Sequence, residues 1–160
     1  RRKKFLFQEV HLIIMVIPSS AYEDVCIELQ KIVSKEQIIC IASKGIHNGI
    51  FLSDIVSNYL DNNICAISGP SFAIDLISNK PIGLSIASKN LKVCDKVITA
   101  LSSPNLRLTK SSDVIGIQSA ERIDNEICFR VHELHVHILC VDSGTTLRQA
   151  RTPARMKHKE

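Results

Sequence analysis

The feature that most constrains the fold of this 160-residue chain is a set of short runs that are apolar at every position. Leu12-Ile-Ile-Met-Val-Ile17 is the first, rich in β-branched residues and ended by Pro18. A run without polar alternation needs burial on both faces, as in the strands of a parallel sheet. Ser20, with Glu23 three residues later, predicts a capping box at the start of a helix. Apolar residues at Ala21, Val25, Leu29, Ile32 and Val33 then keep the spacing of one helix face.

The unit recurs in kind. Ile38 to Ala42 reads as a strand, Ser43 to Gly49 as a loop and Ile50 to Leu60 as a helix. Ile64 to Ile67 is a third strand, followed by Ser68-Gly69-Pro70-Ser71 and a helix from about Phe72. Ile82 to Ala87 gives a fourth strand, and Leu91, Cys94, Val97, Ile98 and Leu101 mark a further helix. Leu106 to Thr109 adds an edge strand. This alternation predicts an α/β fold, a parallel sheet with flanking helices. After Gln118 the order fails. Ser119 to Ile127 is polar without a helical period, Val131 to Val141 is strand-like, and the basic stretch Thr145 to Glu160, with Pro153, reads as disordered. The chain divides into a basic segment (1–10), a sheet-forming domain (11–118) and a divergent, partly disordered tail (119–160).

Charge adds little. The net charge of +4 comes from basic residues crowding both ends, with mixed signs between, and there is no Trp to accompany them. A nucleic-acid partner calls for a basic face interleaved with aromatics, so none is expected. The six cysteines form no CxxC pair. Cys26, Cys40, Cys65 and Cys94 sit in apolar stretches, as core thiols of a reducing, cytoplasmic setting. Arg1 to Lys4 followed by apolar residues imitates a signal peptide, but the run from Leu12 to Ile17 is too short for one and Gln8, Glu9 and His11 interrupt its approach. The first residue is not Met, so residue 1 need not be the native start. No segment has the length of a membrane span, and no membrane partner is expected.

Ligands of open α/β sheets bind beyond the carboxyl ends of the strands. Pro18-Ser19-Ser20, Ser43-Lys44-Gly45 and Ser68-Gly69-Pro70-Ser71 would share one such edge if their strands are parallel. Lys44 is the sharpest residue there, a cation able to hold a carbonyl or phosphate oxygen beside a glycine that allows close approach; a solvated loop lysine is the plainer alternative. Gly69-Pro70-Ser71 reads as a strand-to-helix turn with Ser71 at the N-cap, which also offers free N–H groups to an anion. His132, His135 and His137, between Cys128 and Cys140, lack the HExxH spacing, and no metal site is expected.

LIIMVIPS (Leu12 to Ser19), IASKGI (Ile41 to Ile46), SGPSFA (Ser68 to Ala73) and SSDVIGIQ (Ser111 to Gln118) together resemble the bacterial type of NAD(P)-dependent glycerol-3-phosphate dehydrogenase. The resemblance runs from about His11 to Gln118. It implies the second half of a Rossmann-type nucleotide-binding domain, with NAD or NADP as cofactor. The implied activity is reduction of dihydroxyacetone phosphate to sn-glycerol 3-phosphate, which supplies phospholipid synthesis. By the same resemblance Lys44 touches both substrate and cofactor, Gly69 and Ser71 touch substrate, and Ala73 and Pro18 touch cofactor.

Two departures accompany it. The family's GxGxxG loop has no counterpart here, and the family's GGALKN, whose lysine transfers the proton, is replaced after Gln118 by Ser119-Ala120-Glu121-Arg122-Ile123. No catalytic residue is retained on this reading, and the chain is expected to be an inactive fragment of the enzyme. The change of character at Gln118 points to a shifted reading frame; GALKN-like codons should reappear once the frame is restored in the coding DNA. A non-enzymatic interaction module is the alternative, self-associating through a sheet edge left unpaired beside the first strand. A different dehydrogenase with a similar half-domain is a third reading, opposed by SGPSFA.

Overall fold

A computed structural model describes residues 10–43, 45–69 and 81–119, together with the backbone of 136–141 and 147–150. Its main sheet contains β1 (Leu12–Val16), β2 (Ile38–Ile41), β5 (Asn63–Ser68), β6 (Ile82–Ala87), β7 (Leu106–Ser111), β8 (Val136–Val141) and β9 (Leu147–Ala150). The order across it is β7-β6-β5-β2-β1-β8-β9, and β3 (Ile46–His47) with β4 (Ile50–Phe51) forms a separate two-stranded ribbon. The helices are α1 (Tyr22–Leu29), α2 (Leu52–Tyr59), α3 (Leu91–Leu101) and α4 (Val114–Ser119), with a 3₁₀ turn at Ser19–Ala21 before α1.

The unbroken apolar runs are explained by layers on both sides. Ile13, Met15, Ile39 and Ile41 face α1 and α2, packing with Tyr22, Val25, Leu29, Leu52, Ile55 and Val56. Their alternate neighbours Leu12, Ile14, Ile38 and Cys40 face the other way, with Cys65, Ile67, Ile86 and the α3 residues Val93, Cys94, Val97 and Leu101. Residues two apart on a strand share a face, so covering both faces turns an alternating pattern into a continuous one.

β1 pairs in parallel with β2, and β2 in parallel with β5. The parallel α/β arrangement therefore holds for the first three predicted strands. The fourth is where expectation and structure part: β6 runs antiparallel to β5, with Ala66 opposite Ala87 and Ser68 opposite Ser85, while β7 is parallel to β6. Strand direction leaves no mark on an apolar run, since both arrangements bury the same side chains. β7 is an edge strand as expected. Its outward Arg107 and Lys110 keep charge on a margin that would otherwise offer unpaired backbone.

Other expectations also need correction. No capping box forms at Ser20: the 3₁₀ turn intervenes, and α1 begins without a side-chain cap bond. The loop from Ser43 to Gly49 contains most of a β-hairpin. Its turn residues Asn48 and Gly49 both have positive φ, 49° and 79°, the signature of a two-residue type I′ connection. Asn-Gly is the strongest short hairpin signal, and it lay in plain view. Beyond Gln118, β8 lies parallel to β1 in a five-residue register, and β9 pairs antiparallel with β8. The β1 edge expected to be open is thus covered, and part of the stretch read as disordered is a strand. Among the described residues no helix is long and apolar enough to cross a membrane.

Cys26, Cys40, Cys65 and Cys94 are buried free thiols. Burial pushes Cys26 up to about 12, helped by Glu23. A hydrogen bond with Cys40, followed by burial, raises Cys65, and burial above all raises Cys94. Thiolate is the reactive species, so in native buffer at pH 8 these three should resist iodoacetamide and be modified only on unfolding. Peptide-resolved mass spectrometry with and without denaturant checks this; rapid native labelling of Cys65 would contradict the packing described.

Candidate functional site

Because β1, β2 and β5 are parallel, their carboxyl ends share one margin of the sheet, at Pro18, Ser43 and Gly69. The backbone here leaves the ladder, and side chains take over its hydrogen bonding. Ser43 joins the first two ends. Its hydroxyl accepts from Ile17 N at 3.0 Å and donates to Met15 O at 3.2 Å, beyond the last backbone bond, Ala42 N to Met15 O at 3.0 Å. Tyr22 supports the junction from α1, its hydroxyl 3.4 Å from Met15 O. Burial drives the Tyr22 phenol well above its ordinary value, only partly offset by the Ser43 hydroxyl, so it remains a neutral donor.

The third end is set by Gly69. A Cβ there would lie 2.9 Å from Leu84 Cδ2, 3.0 Å from Leu84 Cα and 3.1 Å from Gly83 O. The antiparallel course of β6 brings Gly83 and Leu84 alongside this margin, and only a residue without a side chain lets β5 end so close to them. Pro18 is exposed, Ser19 and Gly69 are half-buried, and Gly45 is buried. The ribbon of β3 and β4 stands beside this margin. His47 on it approaches the 3₁₀ turn, with Nδ1 3.4 Å from Ser19 Oγ, and Asn48 Nδ2 lies 3.2 Å from His47 Nε2.

Gln118, at the end of the SSDVIGIQ segment, is a residue whose part the sequence reading missed. It is 6% exposed. Its carboxamide takes Ser53 N at 3.0 Å on Oε1 and donates from Nε2 to Ser53 Oγ at 2.8 Å and Val114 O at 3.2 Å. Gly45 abuts it: a Cβ on Gly45 would run into the Gln118 backbone, 2.7 Å from its Cα. The signal available in the sequence was a polar residue closing an otherwise apolar VIGI run.

The structure thus brings Pro18, Ser19, Ser43, Gly45, Gly69 and Gln118 to one side of the sheet. Lys44, Ser71 and Ala73 lie outside the described residues. So do Cys128, His132 and His135, while His137 and Cys140 are placed on β8 by backbone alone. Among the described residues no group of three or more His, Cys, Asp or Glu could hold a metal ion.

Residues 5–94 match the family model described as the NAD-dependent glycerol-3-phosphate dehydrogenase N-terminus. Over 118 residues the chain is 34% identical to the glycerol-3-phosphate dehydrogenase [NAD(P)+] of Wolbachia pipientis subsp. Culex pipiens, covering 71% of this chain and 36% of that protein. The enzyme of the same name from Thermoanaerobacter sp. is 29% identical, with 72% and 36% covered. The crystal structure of glycerol-3-phosphate dehydrogenase from Coxiella burnetii superposes with a TM-score of 0.65 at 28% identity, over 72% of this chain and 36% of that one. DsGPDH of Dunaliella salina shares the fold, with a TM-score of 0.63 at 18% identity over 69% of this chain and 20% of that one. The chain spans about a third of the length of the curated relatives it matches.

Two substitutions probe this margin. Ser43→Ala leaves Ile17 N without its acceptor and should lower unfolding free energy by about 1–3 kcal/mol, read from the urea midpoint. Gly69→Ala forces β5 away from Leu84 and should destabilise by about 1–3 kcal/mol in the same assay. A Gly69→Ala variant as stable as the parent would show that the β5–β6 approach is looser than described.

Proposed function

The chain belongs to the NAD-dependent glycerol-3-phosphate dehydrogenase N-terminal family, and from that premise we propose that its strand-end margin binds a nicotinamide cofactor and a small phosphorylated ketone. In the full reading this is the NAD(P)H-dependent reduction of dihydroxyacetone phosphate to sn-glycerol 3-phosphate. The observation that carries it is the convergence of the β1, β2 and β5 carboxyl ends at one edge of the sheet, where Pro18 of LIIMVIPS, Ser43 of IASKGI and Gly69 of SGPSFA lie.

The donor set suits such ligands. Pro18 presents an exposed, rigid apolar ring against which a flat heterocycle can rest, and Ser19 sets a hydroxyl beside it. Gly45, next to Lys44, and Gly69 carry no side chain, and each lets neighbouring chain pack close to the margin. When bound, the nicotinamide supplies a hydride to the carbonyl carbon. The chain's contribution is to bind, orient and polarise. Lys44 would place its ammonium by the ketone oxygen, whose negative charge grows as hydride arrives, so the attraction is stronger in the transition state than in the ground state. Gly69 and Ser71 would hold substrate, and Pro18, Ala73 and Lys44 the cofactor.

Proton delivery is a separate matter. Ser119 to Ile123 bring no lysine where the resembling enzymes have one. Loss of a positioned general acid typically removes ~10²–10⁴ in rate, so binding without appreciable turnover is the proposed behaviour of this chain. β8 covers the margin of β1, which removes the free edge that a strand-recruiting module there would need.

Scanning calorimetry with millimolar dihydroxyacetone phosphate and NADH tests the proposal, because a ligand stabilises only the state that binds it. The unfolding temperature should rise with both ligands, and Lys44→Ala should remove most of the rise without lowering the ligand-free transition. A parent chain that melts identically with and without them would overturn the proposal.

A further inference from the structure

We infer that Gln118 is a positioning residue for the loop that carries Lys44, an inference that rests on the ligand-binding reading of that loop. The reasoning starts from the beginning of α2. The first N–H groups of a helix have no partner within it, and Phe51, preceding α2, provides no side-chain cap. Two groups from elsewhere supply what is missing. Gly45 O accepts from Leu52 N at 2.9 Å, and Gln118 Oε1 accepts from Ser53 N at 3.0 Å. Gln118 caps α2 from 65 residues away in sequence.

The same glutamine also bears on Gly45 directly, since its backbone occupies the space a Gly45 side chain would need. Gly45, the start of α2 and Gln118 therefore close on one another as a triangle, with each pair in contact. On the other side of the loop, Ser43 is bonded to Ile17 N and Met15 O of the first strand end. Both covalent neighbours of Lys44 are thus fixed by other elements, Ser43 by β1 and Gly45 by α2 and α4. Moving Gln118 would release Gly45, the residue that follows Lys44 in sequence, from the contact that now confines it.

The chemistry of the carboxamide distinguishes this role from plain packing. A glutamate at the position still accepts from the Ser53 N–H, and from the Ser53 hydroxyl once that turns to donate, while both amide donations, to Ser53 Oγ and Val114 O, are lost. An alanine loses all three bonds. Val97→Ala, in the core cluster against α3, serves as a control that removes buried volume away from the loop.

The test measures NADH and dihydroxyacetone phosphate affinity by titration calorimetry, alongside urea unfolding, for the parent, Gln118→Ala, Gln118→Glu and Val97→Ala. Gln118→Ala should weaken binding about tenfold, the size expected of a lost buried hydrogen-bond set, while Gln118→Glu stays within about threefold of the parent. Val97→Ala should bind as the parent does despite its lower stability. Equal affinity in Gln118→Ala, or an equal loss in Val97→Ala, would overturn the role. Should Gln118→Ala fail to fold, Ser53→Ala, which removes only the hydroxyl partner, should weaken binding in the same direction, and unchanged binding there counts against the inference. If the parent binds neither ligand, the functional proposal fails by itself. Positioning of the loop is then decided by hydrogen exchange at the Leu52 amide, whose acceptor is Gly45 and not Gln118. Exchange at least about tenfold faster in Gln118→Ala, restored in Gln118→Glu, supports it, and an unchanged rate refutes it.

Discussion

Everything in this molecule follows from the burial of three neighbouring parallel strands on both faces. β1, β2 and β5 are packed on both faces, so most of their length is shut off from water and the N–H and C=O groups there must be paired. Within the ladder the strands satisfy one another. At the two ends the ladder stops while burial does not, and side chains have to finish the work. On one margin Gln37 donates to Val10 O at 2.6 Å, Asn62 to Ser34 O and Gln37 O, and Ser88 to Ile64 O at 2.7 Å. On the other margin Ser43 and Tyr22 do the same for Ile17 N and Met15 O, while Gln118 caps the adjoining start of α2. Gln37, Ser68 and Ser88 are buried polar residues at strand ends, and Ser53 and Gln118 pair with each other at the start of α2.

This need also explains why the candidate site is well defined in position. The hydrogen bonds that complete β1 and β2 hold Ser43 in place, and the close contact of β5 with β6 requires Gly69. Residues placed for structural reasons thus border the margin where α/β sheets receive ligands. A network of this kind is stiff because losing any member strands a buried polar group.

The sequence announced the strands through their apolar runs, and Ile82 to Ala87 coincides with β6 to the residue. It could not announce that β6 turns back against β5, because apolar content is indifferent to direction. The hairpin at Asn48-Gly49 was legible and was read as loop, its strands being only two residues long. The strand ends were found by their small polar residues. Gln118 was not, since its importance lies in contacts made 65 residues away, and no local pattern encodes those. The covering of β1 by β8 belongs to the same class of long-range fact. The resemblance located Lys44, Ser71 and Ala73 by their motifs alone, without the surrounding geometry.

The place of β8 has a kinetic side. Leu12 pairs with Val136, so β1 receives its second neighbour from a segment 124 positions further along (136 − 12). Contacts of such separation are the slowest to form, because the closure entropy of a long loop is spent before any hydrogen bond repays it. During synthesis β2 follows β1 closely and can pair with it at once, whereas β8, which pairs with the other margin of β1, is made long afterwards. The interval is a window in which that margin can meet other strands, and its length is set by translation rate rather than by the stability of the finished sheet.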